Sequence, residues 1–423
     1  MRGTRGCILS FAPCIRPGNL AAGKLDSFVT TSGFQGLCPP PWAAPQILAN
    51  RGAGQSRLAP GPGSAEAPLR PWALQLMDAL IKDVEHGREL DGRHVSAAVE
   101  FLLDEHADPA KKERFLECLS EKGESAPEIA AFAECLLEHA RDPGIEGLEF
   151  EGPTIDVCGT GGDGLHLFNV STTAMFVIAA GGGVVTKHGN RGITSKSGGA
   201  DVLEALGIRL DLPPEVFRRC LRASGVGFLF APYYHPAFKA IMPVRQKLAR
   251  RGVRTIFNLL GPLLNPARPQ CQMVGVLQRD LAPVFAEILQ RLGRESAWVV
   301  HGTTGDGRSV DEVSLLGSTR ICKAGVFEDL VDEEVRPRDF DLRHAEVADL
   351  QGGDPQRNAQ ILTQILEGAD TGPRLDMTVM NAGAGLACAG LADDMGDGID
   401  QARELIASGA ALDRLRAFQE AAK

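Results

Sequence analysis

A glycine-rich turn between two ordered runs is the first feature of this chain that could perform chemistry. The β-rich run 154–157 is followed by Cys158-Gly159-Thr160-Gly161-Gly162-Asp163-Gly164, and Asn169-Val170-Ser171-Thr172 begins a helical run. Glycines let the backbone approach an anion, and the start of a helix offers free N–H groups and a favourable dipole. We therefore predict a phosphate site. The alternative is an ordinary strand-to-helix turn in which one of these polar residues caps the helix.

The same composition recurs after the next β-rich run. Residues 183–186 lead into Lys187-His188-Gly189-Asn190-Arg191-Gly192, and Thr194-Ser195-Lys196-Ser197-Gly198-Gly199 precedes another helical run. Three cations, Lys187, Arg191 and Lys196, thus stand beside glycines and hydroxyls. A lone Lys-His pair is usually solvated surface. Two successive strand ends of this kind instead predict an anion site at one edge of a sheet, because ligands bind at the carboxyl ends of parallel strands.

Two adjacent carboxylates, Asp311 and Glu312, follow the predicted strand 297–301. Magnesium prefers one or two carboxylates completed by substrate phosphates and water. An isolated Asp-Glu pair is most often solvated surface. The magnesium interpretation depends on the phosphate site predicted above, because a bound diphosphate needs a cation nearby.

The elements that must position these residues fall into two regions. Apolar residues recur at helical spacing from about residue 71, and again over 95–105, 112–121 and 126–139. Beyond residue 153, β-rich runs (154–157, 183–187, 272–277, 297–301 and 319–323) alternate with helical ones (171–180, 200–206 and 281–292). This alternation is typical of βαβ units. We predict a small all-helical domain, with an apolar face suited to a subunit interface, and a large, mainly parallel α/β domain.

The composition and charge of the chain exclude two classes of protein. The 423 residues have a net charge of −10, and the first 70 contain seven basic and two acidic residues, which leaves −15 on the remainder. An acidic body argues against binding to nucleic acid, which requires clustered positive charge. No apolar run reaches the roughly 20 residues of a membrane span.

The ten cysteines form no CxxC pair and no zinc-ligand pattern. We therefore expect free thiols in a reducing compartment, and a cytoplasmic protein.

Residues 1–70 contain nine Pro and ten Gly and show no periodicity, so we predict a disordered extension. A transit peptide for organelle import and a start codon placed too far upstream are the two explanations.

The motifs together resemble the anthranilate phosphoribosyltransferase family, from about Pro71 to the C-terminus. The matching strings are 159–164, 169–172, 187–191, 195–197, 200–207, 234–237, 243–245, 254–262, 265–269 and 311–315. The resemblance implies domains at 71–148 and 149–423, with helices from about 236–262 joining the small domain, and a homodimer formed through that domain. It also implies transfer of the 5-phosphoribosyl group from phosphoribosyl pyrophosphate to anthranilate, with Mg²⁺ as cofactor.

The resemblance also implies a role for each site residue. No residue is assigned as a catalytic acid or base, and Lys187 and Arg245 would act electrostatically. The donor-binding residues would be Gly159, Gly162, Asp163, Asn169, Val170, Ser171, Thr172, Lys187, His188, Gly189, Asn190, Arg191, Ser195, Ser197 and Gly199. The acceptor would contact Gly159, Asn190, His235, Arg245 and Pro262, and the metal would be held by Ser171, Asp311 and Glu312.

The chain departs from the family pattern at a few positions, and two other functions remain as alternatives. Leu167 replaces a small polar residue, Gly192 replaces a frequent serine, and 249–251 is a short insertion. A pyrimidine nucleoside phosphorylase shares the architecture, but the Asn-Arg-Gly and Asp-Glu strings fit it less well. A non-catalytic paralogue that binds nucleic acid would need a basic groove, which the charge of −15 disfavours.

Overall fold

The computed structural model describes residues 71–192, 196–326 and 328–423, without the side chains of 71–75 and 328. The predictions for residues 1–70 and for Ser195 therefore lie outside the described residues. Four helices come first: α1 (Pro71–Glu85), α2 (Gly92–Leu103), α3 (Pro109–Lys122) and α4 (Ala126–Glu138). Asp91, Asp108 and Ser125 set the starts of the last three, because each side chain accepts a hydrogen bond from a backbone N–H of the first turn.

A sheet follows, to which the described residues contribute eight strands. The strands are β1 (Thr154–Gly159), β2 (Val184–Gly189), β3 (Val226–Phe230), β4 (Cys271–Gly275), β5 (Ser296–Thr303), β6 (Ser309–Val310), β7 (Thr319–Gly325) and β8 (Glu328–Val335). Their order is β3-β2-β1-β4-β5-β7-β8, with β6 paired to β5. The first five strands pair in parallel, whereas β6, β7 and β8 pair antiparallel. The predicted mainly parallel α/β fold is confirmed.

In the part of the chain that the structure describes, eleven further helices connect and cover the strands. They are α5 (Val170–Ala180), α6 (Gly199–Ala205), α7 (Pro214–Ser224), α8 (Ala231–Tyr234), α9 (Met242–Arg250), α10 (Phe257–Leu260), α11 (Leu281–Arg291), α12 (Pro355–Leu366), α13 (Pro373–Cys388), α14 (Met395–Ala407) and α15 (Ala410–Ala421). Short 3₁₀ turns lie at Pro236–Ala240, Gly261–Leu263, Pro337–Phe340 and Val347–Leu350. In the described part of the chain, no helix is both long and apolar enough to cross a bilayer.

The sheet separates two apolar cores. Ile155 and Val157 of β1 face the first core, together with α5, α7 and α13–α15. Val274 of β4 and Val299 of β5 face the second, where they meet α11 and helices α1–α4. The N-terminal helices therefore share a core with α9, α10 and α11, and the described residues from 71 to 423 belong to one compact unit. The division of this unit into two domains at residue 148 stays a prediction.

The topology places a crevice at the carboxyl ends of β1 and β4. The helix that follows β1 (α5) lies in the first core, whereas the helix that follows β4 (α11) lies in the second. Since β1 and β4 are adjacent and parallel, their connections diverge to opposite faces. Ligands bind at such switch points in open α/β sheets, and both glycine-rich loops lead away from this edge.

The sequence interpretation did not include the two edge strands, β3 and β8. β8 carries five carboxylates among its eight residues, and its apolar Leu330 and Val331 are 51% and 50% exposed. An edge strand meets water, and its charges deter pairing with other chains. Its composition therefore resembles a solvated loop more than a buried strand.

Candidate functional site

The first glycine turn leaves β1 at the crevice. Gly161, Gly162 and Gly164 have φ angles of 70°, 92° and 68°, a left-handed region that glycine adopts without steric cost. The N–H of Thr160 donates to the carbonyl of Gly275 on β4 at 2.9 Å. The turn is thus tied to the neighbouring strand at its beginning, and it lacks Cβ atoms where its backbone faces the crevice.

Asp311 lies directly against this turn, although 150 residues separate it from Gly161. The N–H of Gly161 donates to Asp311 Oδ2 at 2.6 Å. A Cβ atom on Gly159 would collide with the same oxygen, so a side chain at 159 would displace the carboxylate. Asp163 also lies close enough for its charge to act on Asp311. The structure thus brings the predicted metal-binding carboxylate and the glycine turn together.

Asp311 and Glu312 form a pair of acids with unfavourable electrostatics. Burial and then the charge of Asp163 raise the pKa of Asp311 to about 6. Burial and then the charge of Asp311 raise the pKa of Glu312 to about 8, against the attraction of Lys187. Glu312 Oε1 accepts a hydrogen bond of 3.3 Å from the backbone N–H of Ser171. Ionisation of both carboxyl groups therefore costs free energy, and a nearby cation would remove that cost.

These residues fit a divalent cation that is shared with a substrate. The described residues contain no group of three or more His, Cys, Asp or Glu that could hold a metal. Magnesium needs only one or two carboxylates when phosphates and water supply the other oxygens. The Asp311–Glu312 pair, with the Ser171 hydroxyl nearby, offers such an incomplete set of donors.

Lys187 connects the two loops. It lies on β2 with 4% of its surface exposed, and its Nζ donates to Ser171 Oγ at 3.2 Å and to the carbonyl of Val157. The charge of Lys187 also acts on Glu312. A buried ammonium beside the start of α5 and the acidic pair is placed to neutralise an anion bound at the glycine turn.

Arg191 makes contacts that the sequence did not predict. Its guanidinium forms ion pairs with Asp201 and Glu204 of α6 and lies 5.5 Å from the centre of the Phe230 ring. The carboxylate of Asp201 also accepts hydrogen bonds from the N–H groups of Gly192 and Gly198, at 2.9 and 2.8 Å. Arg191 therefore connects the end of β2 to α6. Lys196 in the same loop is exposed.

Asn169 occupies the N-cap position of α5, but its side chain does not cap the helix. Its Nδ2 donates to the carbonyl of Ser197 at 3.2 Å, and its Oδ1 accepts from Asn358 Nδ2 at 2.7 Å. Asn169 thus bridges the second loop and α12. Asn358 is 3% exposed, and the sequence analysis did not identify it. Its signal in the sequence was an amide at an inward position of an amphipathic helix.

The other predicted donor-binding residues surround the same edge. Val170 and Thr172 are buried in the first turn of α5. Gly199 begins α6 so close to Thr172 that an added Cβ would lie 2.9 Å from the Thr172 hydroxyl. Gly189 ends β2, and the Asn190 side chain accepts a hydrogen bond from the N–H of Arg191 at 2.8 Å.

Arg245 supplies a cation on the face of the sheet opposite to the Lys187 side chain. It lies on α9, with its guanidinium 5.0 Å from the centre of the Phe257 ring and 3.5 Å from the Phe257 carbonyl. Burial lowers the pKa of Arg245, yet an arginine side chain stays charged at neutral pH. Its contacts in the described residues are with Phe257 and Met242 rather than a carboxylate. Its fork is therefore available to bind a ligand carboxylate.

A continuous row of rings links Arg245 to the strand that carries Lys187. The Phe257 ring contacts Phe238 at 5.7 Å, Phe238 stacks on His235 at 5.3 Å, and His235 meets His188 at 5.2 Å. Pro262 is buried nearby, in the 3₁₀ turn before Leu264. His235 and His188 are both buried. The structure thus joins His235 and Arg245, two of the predicted acceptor residues, into one wall of mostly aromatic character. His188, which was predicted to bind the donor, lies in the same wall.

The two histidines predict an acid-sensitive fold. Burial lowers the pKa of His188 to about 3 and that of His235 to about 4, whereas an unfolded histidine has a pKa near 6.5. Between these values the unfolded chain binds more protons, so stability falls as the pH falls through 6.5. We expect each histidine to lower the free energy of unfolding by about 2 kcal/mol between pH 7.5 and pH 5.

Urea denaturation of the wild type and of His235→Gln at both pH values measures this effect. Gln can still donate to the Leu264 carbonyl that now accepts from His235 Nε2 at 2.9 Å. The variant should lose about 2 kcal/mol of the pH-dependent change, and a matched control at the exposed His106, His106→Gln, should keep it. A variant with the full wild-type dependence would contradict the assignment of a buried, neutral His235.

Comparisons with known sequences agree on one group of relatives. Residues 151–412 match the model of the glycosyl transferase family, a/b domain. An anthranilate phosphoribosyltransferase of Anaeromyxobacter sp. is 44% identical over 342 residues, which cover 81% of this chain and 97% of the relative. The anthranilate phosphoribosyltransferase of Chloroflexus aggregans is 44% identical over 328 residues, which cover 78% of this chain and 93% of the relative.

Solved structures lead to the same group. The anthranilate phosphoribosyltransferase of Thermus thermophilus superposes with a TM-score of 0.73 at 38% identity and covers 81% of this chain and 99% of its own. The Saccharomyces cerevisiae enzyme in complex with phosphoribosyl pyrophosphate and Mg gives a TM-score of 0.68 at 26% identity, covering 83% and 98%. The same yeast enzyme with 4-fluoroanthranilate gives 0.69 at 26%, with the same coverage.

Proposed function

This chain belongs to the anthranilate phosphoribosyltransferase family, and from that premise we infer that its crevice joins phosphoribosyl pyrophosphate to anthranilate. The enzyme transfers the 5-phosphoribosyl group to the anthranilate amine and releases diphosphate, in the biosynthesis of tryptophan. One observation supports this function above all others. A glycine turn with a buried aspartate, a partly buried glutamate and a buried lysine meets, at the same sheet edge, a wall of rings that ends in the available fork of Arg245.

The donor side is the glycine turn with its surrounding polar groups. We propose that N–H groups of the glycine turn, at 162–164, and the start of α5 hold the phosphates of the donor, because the dipole of a helix start favours negative charge. Lys187 would neutralise charge that develops on the departing diphosphate. Its position is supported by its hydrogen bond to Ser171 at 3.2 Å. Leu167 offers no hydroxyl to the donor.

Asp311, Glu312 and Ser171 are the residues that would hold Mg²⁺. When bound together with the donor, the ion neutralises negative charge on the diphosphate oxygens. The yeast relative in complex with phosphoribosyl pyrophosphate and Mg supports this cofactor. The raised pKa values of both carboxylates, about 6 and about 8, are the expected property of ligands whose charge is balanced only in the complex.

The acceptor side begins at Arg245. We propose that its guanidinium pairs with the anthranilate carboxylate in a forked geometry. His235, His188 and Pro262 would line the channel for the aromatic ring, and Gly159 and Asn190 would border the amine. An aromatic amine is a weak base and is already neutral at pH 7, so no strong general base is required. Alignment of two bound reactants then supplies much of the rate acceleration.

The assembly and location of the enzyme are further proposals. We propose a homodimer formed through helices α1–α4, a cytoplasmic location, and no affinity for nucleic acid. The net charge of −15 after residue 70 supports the last of these.

Parallel incubations test the proposed function against its nearest alternative. With anthranilate, phosphoribosyl pyrophosphate and Mg²⁺, chromatography should reveal N-(5-phosphoribosyl)anthranilate. With a pyrimidine nucleoside and inorganic phosphate, the same protein should release no free base. Release of base without the anthranilate product would assign the chain to the nucleoside phosphorylases instead.

A further inference from the structure

A row of three polar side chains crosses the buried sheet beneath the acceptor wall. The register of β1 with β4 pairs Asp156 with Gln272, and its register with β2 places Thr186 on the other side of Asp156. All three side chains are 0% exposed. Because successive residues of a strand face opposite sides, the row points away from Ile155 and toward residues 261–265. A buried carboxylate is costly unless its hydrogen bonds are well arranged.

Asp156 accepts hydrogen bonds with both of its oxygens. Oδ1 accepts from the backbone N–H of His188 at 3.2 Å. Oδ2 accepts from Asn265 Nδ2 at 2.8 Å and from Gln272 Nε2 at 3.5 Å. Asn265 Nδ2 also donates to the carbonyl of Thr186 at 2.7 Å. One carboxylate therefore joins β1, β2, β4 and the segment that carries Asn265.

The partners of Asp156 hold the walls of the acceptor channel. Gln272 Nε2 donates to the carbonyl of Pro262 at 2.7 Å. The ring of His235 bonds through Nε2 to the carbonyl of Leu264 at 2.9 Å, one residue before Asn265. His188 is held directly through its backbone. Pro262, His235 and His188 thus share one buried anchor, although Asp156 itself contacts no substrate.

We propose that Asp156 is a positioning residue for the acceptor: it fixes residues 261–265 and His188 at the spacing that an anthranilate ring requires. This role rests on the proposed function of the crevice. Lys187 points to the opposite face of β2, where it bonds to Ser171. Lys187 is therefore not hydrogen-bonded to the Asp156 carboxylate in the described residues, although the two charges attract each other. A change at Asp156 should consequently act more strongly on anthranilate, whose channel walls it holds through hydrogen bonds, than on the donor.

The substitution Asp156→Asn tests this role in the full chain. An amide has only one accepting oxygen, so in either orientation its NH₂ group faces a donor, at Asn265 or at the His188 N–H. We expect the KM for anthranilate to rise about tenfold, since small displacements of bound reactants have large effects. The KM for phosphoribosyl pyrophosphate should change less than about twofold. Both constants are measured at saturating co-substrate and Mg²⁺.

Ile155→Ala is the matched control, because it lies in the same strand and is equally buried but faces the opposite core. It should lower the melting temperature and leave the ratio of the two KM values unchanged. Asn265→Ala, which leaves the carboxylate in place and removes its link to 261–265, should reproduce the selective rise if Asp156→Asn does not fold. Equal changes in both KM values, or no change in a folded variant, would overturn the proposal.

The wild type separates this proposal from the proposed function. A wild-type chain without anthranilate-dependent turnover contradicts the function itself. An active wild type with an unchanged KM ratio in both variants contradicts only the role of Asp156.

Discussion

Replacing Asp311 by Asn and Glu312 by Gln together should lower magnesium-dependent turnover by about 10³-fold or more. Neutralisation of charge by a metal is worth several kcal/mol in the transition state, and about 4 kcal/mol corresponds to that factor. The amides remove both negative charges but keep an oxygen that can accept from Gly161 N–H, as Asp311 now does at 2.6 Å. The double variant should therefore lose activity because two negative charges are removed from the metal site, and not because the site changes shape.

The melting temperature distinguishes this loss from unfolding. Both carboxylates have raised pKa values, about 6 and about 8, so their ionisation by pH 8 lowers the stability of the folded chain relative to the unfolded chain. Their neutral replacements should leave the metal-free protein at least as stable as the wild type. Asp306→Asn, which changes an exposed carboxylate of the same connection, is the matched control and should retain activity. Wild-type turnover by the double variant at ordinary Mg²⁺ concentrations would contradict the metal assignment.

Replacing Arg245 by Ala should reduce kcat/KM for anthranilate by about 10²-fold, while the KM for phosphoribosyl pyrophosphate stays nearly constant. A charge-assisted pair with a carboxylate contributes about 2–3 kcal/mol when it is sheltered from water. Among the described residues, no carboxylate pairs with the guanidinium, and its contacts with Phe257 orient it toward the ring wall. The expected loss therefore falls on the acceptor alone.

Steady-state kinetics with each substrate varied in turn measure this effect. Arg245→Lys keeps the charge but loses the fork, and it should recover only part of the activity. Arg250→Ala, an exposed arginine on the same helix, is the control and should behave like the wild type. An Arg245→Ala variant with normal use of anthranilate, or with a loss confined to the donor, would exclude the proposed acceptor site.

Local patterns predicted most of the architecture. Helical spacing from residue 71 identified α1–α4, and alternation after residue 153 identified β1, β2, β4, β5 and β7 with helices α5, α6 and α11. These features depend on short stretches of sequence. Because the carboxyl ends of parallel strands lie at one edge of a sheet, both glycine-rich loops were then expected to lie together. β8 was missed because its charges reflect exposure at a sheet edge, which is a property of the assembled fold.

Long-range contacts account for what the sequence could not predict. The approach of Asp311 to Gly159 depends on β4 lying beside β1, which no local pattern specifies. Arg191 resembled a phosphate-binding cation, yet α6 brings two carboxylates to it. Asn358 and Asp156 act through partners more than 100 residues away. Their roles depend on tertiary neighbours. The sequence signs were a single carboxylate within the β-rich run 154–157 for Asp156 and an amide at an inward position of an amphipathic helix for Asn358.

The fluorescence of anthranilate gives the most direct test of the central claim. The full chain is mixed with anthranilate, phosphoribosyl pyrophosphate and Mg²⁺, and the decay of fluorescence is followed as the amine is ribosylated. We predict a decay that requires all three components and stops when the metal is chelated. Fluorescence that stays constant with folded protein, over a range of Mg²⁺ and donor concentrations, would contradict the assignment of this crevice to phosphoribosyl transfer.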